Sequence, residues 1–206
     1  MVYYEGMDRF LIGLVGPIAS GKQVLADYLK ELGFTYLSLS DQVRIETRQR
    51  GLEITRENLQ NVGNALRSKF GNDVLAKRAL MMIEQESNKI VIDSIRNYAE
   101  VEYLRKHAPI KVIGVDAPAE VRLNRYLARA IERHEDGLTE EDFWKADKRD
   151  RGENTASGQQ VDICLLGSDL VIDNQFKNKD EFRDYLRREI FVEGDQRERW
   201  QWQRRR

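Results

Sequence analysis

The segment from Phe10 to Leu32, FLIGLVGPIASGKQVLADYLKEL, constrains the fold of this 206-residue chain more than any other part of it. Its apolar run ends at Gly16, and an amphipathic pattern begins seven residues later. Residues 16–22 between them read GPIASGK, which is the G-x-x-x-x-G-K spacing of a phosphate-binding loop. Glycines let the backbone turn its N–H groups toward an anion, and the following helix adds its own unpaired N–H groups. The segment therefore predicts a buried strand, a phosphate-binding loop and a helix in succession.

The lysine that closes this loop adds a mobile positive charge, which can follow the β- and γ-phosphates of a nucleotide. The next residue in such loops is usually Ser or Thr, whose hydroxyl binds Mg²⁺, but here it is Gln23. Either Mg²⁺ is held mainly by water and carboxylates, or the protein binds nucleotide without efficient turnover. We predict that the nucleotide is bound by Gly16, Ala19, Ser20, Gly21, Lys22, Gln23 and Val24. A glycine-rich turn with a surface lysine is the alternative interpretation.

Charge and composition narrow the possible classes of function. The formal net charge of -1 argues against a general nucleic-acid binder, which carries a basic excess. The single cysteine, Cys164, cannot form an internal disulfide. Every apolar run is shorter than a membrane span, and the start, MVYYEGMDRF, lacks the layout of a signal peptide. We therefore expect a cytoplasmic enzyme with no membrane partner.

Short apolar runs alternate with helical patterns along the chain, and this alternation indicates the fold class. The predicted strands are Phe10–Val15, Thr35–Leu39, Lys89–Asp93, Ile110–Val115 and Leu170–Asp173. Such an alternation predicts a three-layer α/β fold with a doubly wound, mainly parallel sheet. Ligands bind beyond the carboxyl ends of the strands in sheets of this kind, and polar residues follow these ends here.

We expect one domain over residues 1–192, followed by a polar tail over residues 193–206. The tail reads EGDQRERWQWQRRR and has no apolar periodicity. Its tryptophans among arginines could stack on single-stranded nucleic acid or dock on a protein partner or a second copy of the chain. A frayed terminus is the simpler account.

Several charged residues follow the strand ends. Asp93 ends the third predicted strand, where phosphotransferases of this type place a carboxylate for Mg²⁺, although it could also cap the next helix. Arg96 could bind an acceptor phosphate or form an ion pair with Glu100. In the segment between strands two and three, Asp41, Arg44 and Arg67 are candidate acceptor-binding residues, although Asp41 could be a helix cap and the arginines solvated surface.

A helix predicted from Pro118 carries four arginines at helical spacing: Arg122, Arg125, Arg129 and Arg133. Like charges at this spacing repel one another weakly, so a stripe of them suits the charge of a phosphoryl group in transfer. The alternative is a solvated helix face with acidic neighbours.

The chain resembles the nucleoside monophosphate kinase group of P-loop proteins. Within that group it is most similar to the dephospho-CoA-kinase-like proteins, which occur alone or fused to deoxycytidylate deaminase-like domains. Besides the loop, the resemblance is carried by SLSD (38–41), GLEITRENLQ (51–60), VIDSIRN (91–97) with Glu100, GVDAP (114–118) and DLVIDN (169–174). It covers nearly the whole chain to about residue 190. It implies the strand order 2-3-1-4-5, a helical acceptor-binding insertion at about 40–88 and a lid at about 133–158.

The resemblance also implies roles for individual residues. ATP would lie on the loop, with Lys22 at its phosphates and Asn174 near the adenine. Asp93 would bind Mg²⁺ or the acceptor, Arg96 would bind the acceptor phosphate, and Arg125 and Arg129 would contact the transferring group.

Our leading hypothesis is an Mg²⁺-dependent kinase that moves the γ-phosphoryl group of ATP to a small-molecule acceptor, most plausibly a nucleoside or deoxynucleoside monophosphate. Dephospho-CoA is an alternative acceptor. A nucleotide sensor with weak catalysis, which regulates a partner, is the alternative from another class of function.

Overall fold

The computed structural model describes residues 10–83, 88–132, 139–152 and 158–191. The tail at 193–206, and the parts of the predicted lid at 133–138 and 153–157, lie outside the described residues.

Five parallel strands form one sheet in the order β2-β3-β1-β4-β5, which confirms the predicted fold class and strand order. The strands are β1 Phe10–Val15, β2 Thr35–Ser38, β3 Lys89–Ile95, β4 Ile110–Asp116 and β5 Leu170–Asp173. β1 is central and leads directly into the glycine-rich loop. The loop therefore lies at the carboxyl edge of the sheet, between β3 and β4.

The described residues also form helices, which follow the strands along the chain. They are α1 Lys22–Glu31, α2 Leu39–Gln49, α3 Arg56–Phe70, α4 Val74–Met81, α5 Tyr98–His107, α6 Ala119–Glu132, α7 Glu140–Arg151, α8 Val161–Leu166 and α9 Lys179–Tyr185, with a π-helical turn over Leu186–Ile190. Thr55 and Thr139 cap α3 and α7 with their hydroxyls, as short polar side chains do. Within the described part of the chain, no helix is both long and apolar enough to cross a membrane.

The core lies on both faces of the sheet. Leu11 and Val15 of β1 join the cluster formed with α2 to α5 and α8. Ile12 and Leu14 join the opposite cluster, which includes residues of α1 and α9. This division follows from the two-residue period of a strand, because successive side chains point to opposite faces.

A smaller cluster packs α7 beside the phosphate-binding loop; α7 lies in the segment predicted as a lid and is called the lid helix below. It comprises Ile18 of the loop, Tyr126 of α6, and Phe143 and Ala146 of α7. The Tyr126 and Phe143 ring centroids lie 5.5 Å apart. The packing fixes α7 over the same edge of the sheet to which the loop belongs.

β3 extends two residues beyond its predicted end at Asp93. The pairing of β1 with β3 changes register between Gly13 and Val15, and Ser94 has a left-handed backbone with φ of 65°. Such an irregularity re-aims the side chains beside it. Non-glycine residues hold this conformation at a cost of about 1–3 kcal/mol, and they cluster at functional sites.

Candidate active site

The loop between β1 and α1 has the backbone shape that its glycines predict. Ala19 and Gly21 are left-handed, with φ of 58° and 97°. A methyl group at Gly16 would overlap the carbonyl oxygen of Val115, and one at Gly21 would overlap the side chain of Asn174. These positions therefore require glycine for close approach as well as for conformation.

Lys22 folds back over the loop. Its Nζ donates a hydrogen bond of 2.8 Å to the carbonyl oxygen of Gly16. Burial lowers the pKa of Lys22, while the nearby Asp93 carboxylate acts against that shift. Ser20 Oγ is a second buried polar atom of the loop, and it has no hydrogen-bond partner among the described residues. Phosphate oxygens would satisfy both groups.

Asp93 lies buried on β3, close enough to Lys22 to influence its charge. Its Oδ2 accepts hydrogen bonds from Tyr36 Oη at 2.8 Å and from Ser94 Oγ at 3.3 Å. Oδ1 has no partner within the described ranges. The carboxylate is thus anchored through one oxygen, and the other remains for a cation or an acceptor. Burial and Asp93 together raise the pKa of Tyr36, so the phenol keeps its proton and acts as a donor.

Three serines extend this network from β3 to β2. Ser94 donates to Asp93, and Ser38 donates to Ser94 at 3.2 Å. The hydroxyls of Ser38 and Ser40 lie 2.8 Å apart. Because the single proton of Ser38 is directed at Ser94, Ser40 is the donor in that pair. The sequence alone does not predict this connection, because the serines of SLSD (38–41) and Ser94 come together only when β2 pairs with β3.

The guanidinium of Arg125 joins the loop to the turn after β5. Its Nη2 donates to the carbonyl oxygens of Asn174 and Phe176, both at 3.0 Å. Asn174 Nδ2 in turn donates to the carbonyl oxygen of Ser20 at 2.8 Å. Arg125 thus holds the turn and the loop together in this structure. Its contact with a transferring phosphoryl group stays a prediction.

The prediction that Arg122 belongs to a phosphate-facing stripe is wrong. Its side chain is 1% exposed, its Nε donates to the carbonyl oxygen of Ala117 at 2.9 Å, and its other nitrogens pair with Asp147 of α7. Buried arginines require such partners, and here the pair ties α6 to the lid helix. Arg129 borders the open cleft, whereas Arg133 lies outside the described residues.

Arg96 forms an ion pair with the lid helix. Its Nη1 lies 3.2 Å from Asp150 Oδ1. Glu100 instead forms a buried ion pair with Arg67 at 2.8 Å and accepts the backbone N–H of Arg96. The alternative ion pair between the side chains of Arg96 and Glu100 is therefore wrong. Asp93 is not a helix cap either, because Asn97 caps α5.

The other predicted acceptor-side residues lie on the helical insertion, formed by α2, α3 and α4. Asp41 and Arg44 lie on the first turns of α2, where Arg44 Nε is 3.8 Å from Asp41 Oδ1. Arg149 of the lid helix donates to Asn61 Oδ1 of α3 at 2.8 Å, so α7 contacts the helical insertion.

One cleft of about 1210 Å³ brings these groups together at the carboxyl edge of the sheet. Apart from Gly16, Arg122 and Arg133, the sequence-predicted site residues line it: Ala19, Ser20, Gly21, Lys22, Gln23, Val24, Asp41, Arg44, Arg67, Asp93, Arg96, Arg125, Arg129 and Asn174. Gly16 lies behind the loop, against β4.

Comparisons with known proteins agree with this geometry. A family model described as an AAA domain matches residues 12–145. The UPF0200 protein of Methanothrix thermoacetophila is 37% identical over 181 residues, covering 86% of this chain and 94% of that protein. The chain belongs to the UPF0200 family. A second relative, the UPF0200 protein MJ1399 of Methanocaldococcus jannaschii, is 29% identical over 189 residues, covering 85% of this chain and 95% of that protein.

Solved structures share the fold of this UPF0200 protein at low sequence identity. A Chloroflexus aurantiacus protein provisionally described as a kinase has a TM-score of 0.56 and 19% identity, covering 87% of this chain and 97% of that one. Shikimate kinase from Acinetobacter baumannii, solved with shikimate, has a TM-score of 0.50 and 16% identity, and the match covers 85% of this chain and 89% of that one. The chain therefore has a P-loop kinase fold.

The residues of this UPF0200 protein fit the nucleotide and the Mg²⁺ that such a fold implies. The loop provides the glycine conformations and the buried Ser20 hydroxyl that phosphates require. Asp93 Oδ1 is a hard oxygen donor with no protein partner within the described ranges, which suits Mg²⁺ or one of its waters. Gln23 donates its amide N–H to Asp27 along the exposed face of α1, at 2.9 Å. Asp93 is therefore a residue that could hold a metal, and this role stays a prediction.

Proposed function

We propose that this UPF0200 protein is a kinase that transfers the γ-phosphoryl group of ATP to a nucleoside or deoxynucleoside monophosphate. One observation carries the proposal. A buried carboxylate, Asp93, is anchored through one oxygen beside the lysine of a phosphate-binding loop, and its other oxygen has no partner in the described part of the chain.

The size of the cleft supports two ligands. Sites for a single small molecule usually measure about 300–1,000 Å³. This cleft of about 1210 Å³ runs from the loop and Asn174 to the helical insertion. It has room for a donor nucleotide at one end and an acceptor at the other.

The charges lining the cleft support phosphoryl transfer. In the reaction the bond between the γ-phosphorus and its bridging oxygen breaks, an acceptor oxygen bonds to that phosphorus, and ADP leaves. Lys22 is placed to follow the charge that develops on the phosphates, and Arg129 borders the same space. When bound, Mg²⁺ would neutralise charge on the phosphate oxygens. Asp93 orients what it holds because Tyr36 and Ser94 fix its other oxygen.

A nucleotide sensor is the second candidate. Gln23 favours it, because its side chain is exposed and its amide N–H is directed at Asp27 rather than at the loop. If Gln23 does not help to hold Mg²⁺, the metal would bind weakly. The protein would then bind its nucleotide tightly but turn it over slowly.

ADP release, measured with each nucleoside monophosphate, each deoxynucleoside monophosphate and dephospho-CoA, tests the proposal. We expect one or more of the monophosphates to raise turnover well above the ATP-only rate, while dephospho-CoA does not. Lys22→Ala should abolish the rate, and Asp93→Asn should lower kcat by at least about 100-fold. Lys106→Ala is the matched control, because this lysine lies exposed on α5 and does not border the cleft, so the rate should stay unchanged.

An ATP-only rate that no acceptor raises would contradict the kinase proposal. Tight nucleotide binding that Lys22→Ala abolishes, without turnover, would then favour the sensor.

A further inference from the structure

The insertion end of the cleft has an apolar portion beside the charged side chains of Asp41, Arg44 and Arg67. Val43 of α2, Ile54 before α3, Leu59 of α3 and Leu75 of α4 all border it. Gly63 of α3 also borders it and adds no side chain of its own, and the methyl groups of Val43 lie beside its backbone. A surface of this composition favours a flat, largely apolar group, because the hydroxyls of a polyol would lose their hydrogen bonds to water here.

Gln60 supplies a polar group in this apolar surface. It is 8% exposed and lines the cleft one turn before Gly63. Its Nε2 is buried and has no hydrogen-bond partner among the residues described. An unpaired buried donor costs about 1–3 kcal/mol, a cost that a ligand oxygen would offset. The terminal amide torsion of glutamine is soft, so a small rotation turns the N–H toward a bound ligand.

The charged side chains at this end of the cleft lie in pairs, because Arg44 Nε is 3.8 Å from Asp41 Oδ1 and Arg67 pairs with Glu100. Arg67 lies on the same helix two turns after Gln60, but its Nε and Nη2 both donate to Glu100. The amide of Gln60 is therefore a neutral donor in an apolar setting. Such a donor recognises an uncharged carbonyl oxygen, whereas a carboxylate in this position would require a cation.

We propose that Gln60 is the residue that selects the acceptor, by donating a hydrogen bond from Nε2 to a ring carbonyl of a nucleobase that lies on the apolar surface around Gly63. This inference rests on the proposed function and deepens it. It names the acceptor class as nucleotides with an oxo-bearing base, and it disfavours sugar and polyol acceptors.

The test compares Gln60→Leu with wild type. The panel contains nucleoside monophosphates with an oxo-bearing base, AMP (which has an amino group instead) and ribose 5-phosphate (which has no base). In Gln60→Leu we expect KM for the preferred oxo-bearing acceptor to rise about tenfold, with the KM for ATP unchanged. The melting temperature should not fall, because the substitution removes an unpaired buried donor. Gln49→Leu is the matched control, since Gln49 is exposed at the end of α2 and away from the cleft.

Gln60→Glu provides an independent variant of nearly the same shape. An ionised carboxylate can only accept hydrogen bonds. We therefore expect the ratio of kcat/KM for the oxo-bearing acceptor to that for AMP to fall by at least tenfold. A purely structural role for Gln60 would change all acceptors equally and would overturn the proposal.

Other outcomes separate this inference from the proposed function. A KM in Gln60→Leu within twofold of wild type, or wild-type activity on ribose 5-phosphate equal to that on nucleotides, would overturn the inference and leave the kinase standing. If wild type phosphorylates no acceptor, the kinase proposal fails, and calorimetry with the nucleoside monophosphates then decides the inference. Binding that Gln60→Leu weakens about tenfold supports it, and equal or absent binding overturns it.

Discussion

Replacing Arg67 by methionine should destabilise the fold by an amount that the structure predicts. Glu100 is fully buried and accepts four hydrogen bonds, two from Arg67 and one from each of the backbone N–H groups of Arg96 and Asn97. Arg67→Met leaves this carboxylate without a counter-charge and with half of its donors. The variant therefore tests whether the ion pair supports the turn that follows β3.

Removing one partner of a buried ion pair costs about 3–5 kcal/mol in the free energy of unfolding. For a chain of about 200 residues, each kcal/mol lowers Tm by about 2–4 °C, so we expect a fall of about 6–20 °C. Replacing both partners, Arg67→Met with Glu100→Gln, removes both charges and keeps an oxygen for the backbone N–H groups. We expect the double variant to be at least about 2 kcal/mol more stable than the sum of the two single effects predicts.

Urea unfolding followed by far-ultraviolet circular dichroism measures these free energies. Arg48→Met is the matched control, because Arg48 is exposed on α2, and its effect should stay within about 0.5 kcal/mol. A loss below about 1 kcal/mol in Arg67→Met, or additive effects in the double variant, would refute the reasoning that the pair is mutually dependent.

Three further predictions concern the loop, the carboxylate and the cysteine. Gly16→Ala should abolish the rise in Tm that ATP causes, because the added methyl overlaps the carbonyl oxygen of Val115 in β4. Gly33 has a left-handed backbone with open space around it, so Gly33→Ala should keep that rise at a cost of about 1–2 kcal/mol in stability. Equal rises in the two variants would contradict the prediction. Tyr36→Phe removes a donor to Asp93, so kcat in the ADP-release assay should fall about tenfold at unchanged KM for ATP, whereas an unchanged kcat would show that the phenol does not orient the carboxylate. Burial raises the pKa of Cys164 to about 12, so roughly one thiol in ten thousand is ionised at pH 8. Labelling of Cys164 by a disulfide reagent should therefore be at least about 100-fold slower in the native protein than in urea. Rapid labelling of the native protein would contradict the buried position of this thiol.

The sequence alone was sufficient for the features that depend on near neighbours in the chain. The short apolar runs predict the strands, and the alternation of strands and helices predicts the parallel sheet. The caps at Thr55 and Thr139 are local features of the same kind, because a cap bonds to backbone only three residues away. The glycine spacing of the loop likewise predicts its shape, since a left-handed backbone is a local requirement.

Only the tertiary structure decided which partner each charged side chain has. Arg122 and Arg129 are nearly equivalent by helical spacing, yet Arg122 pairs with Asp147 on another helix while Arg129 borders the cleft. Tyr36 is 57 residues from Asp93, and the two meet because β2 pairs with β3. A helical or strand period fixes which face a side chain occupies, but it contains no information about which distant element packs against that face. The sequence therefore predicts charged residues that line the cleft, whereas the partner of each charged side chain depends on the tertiary structure.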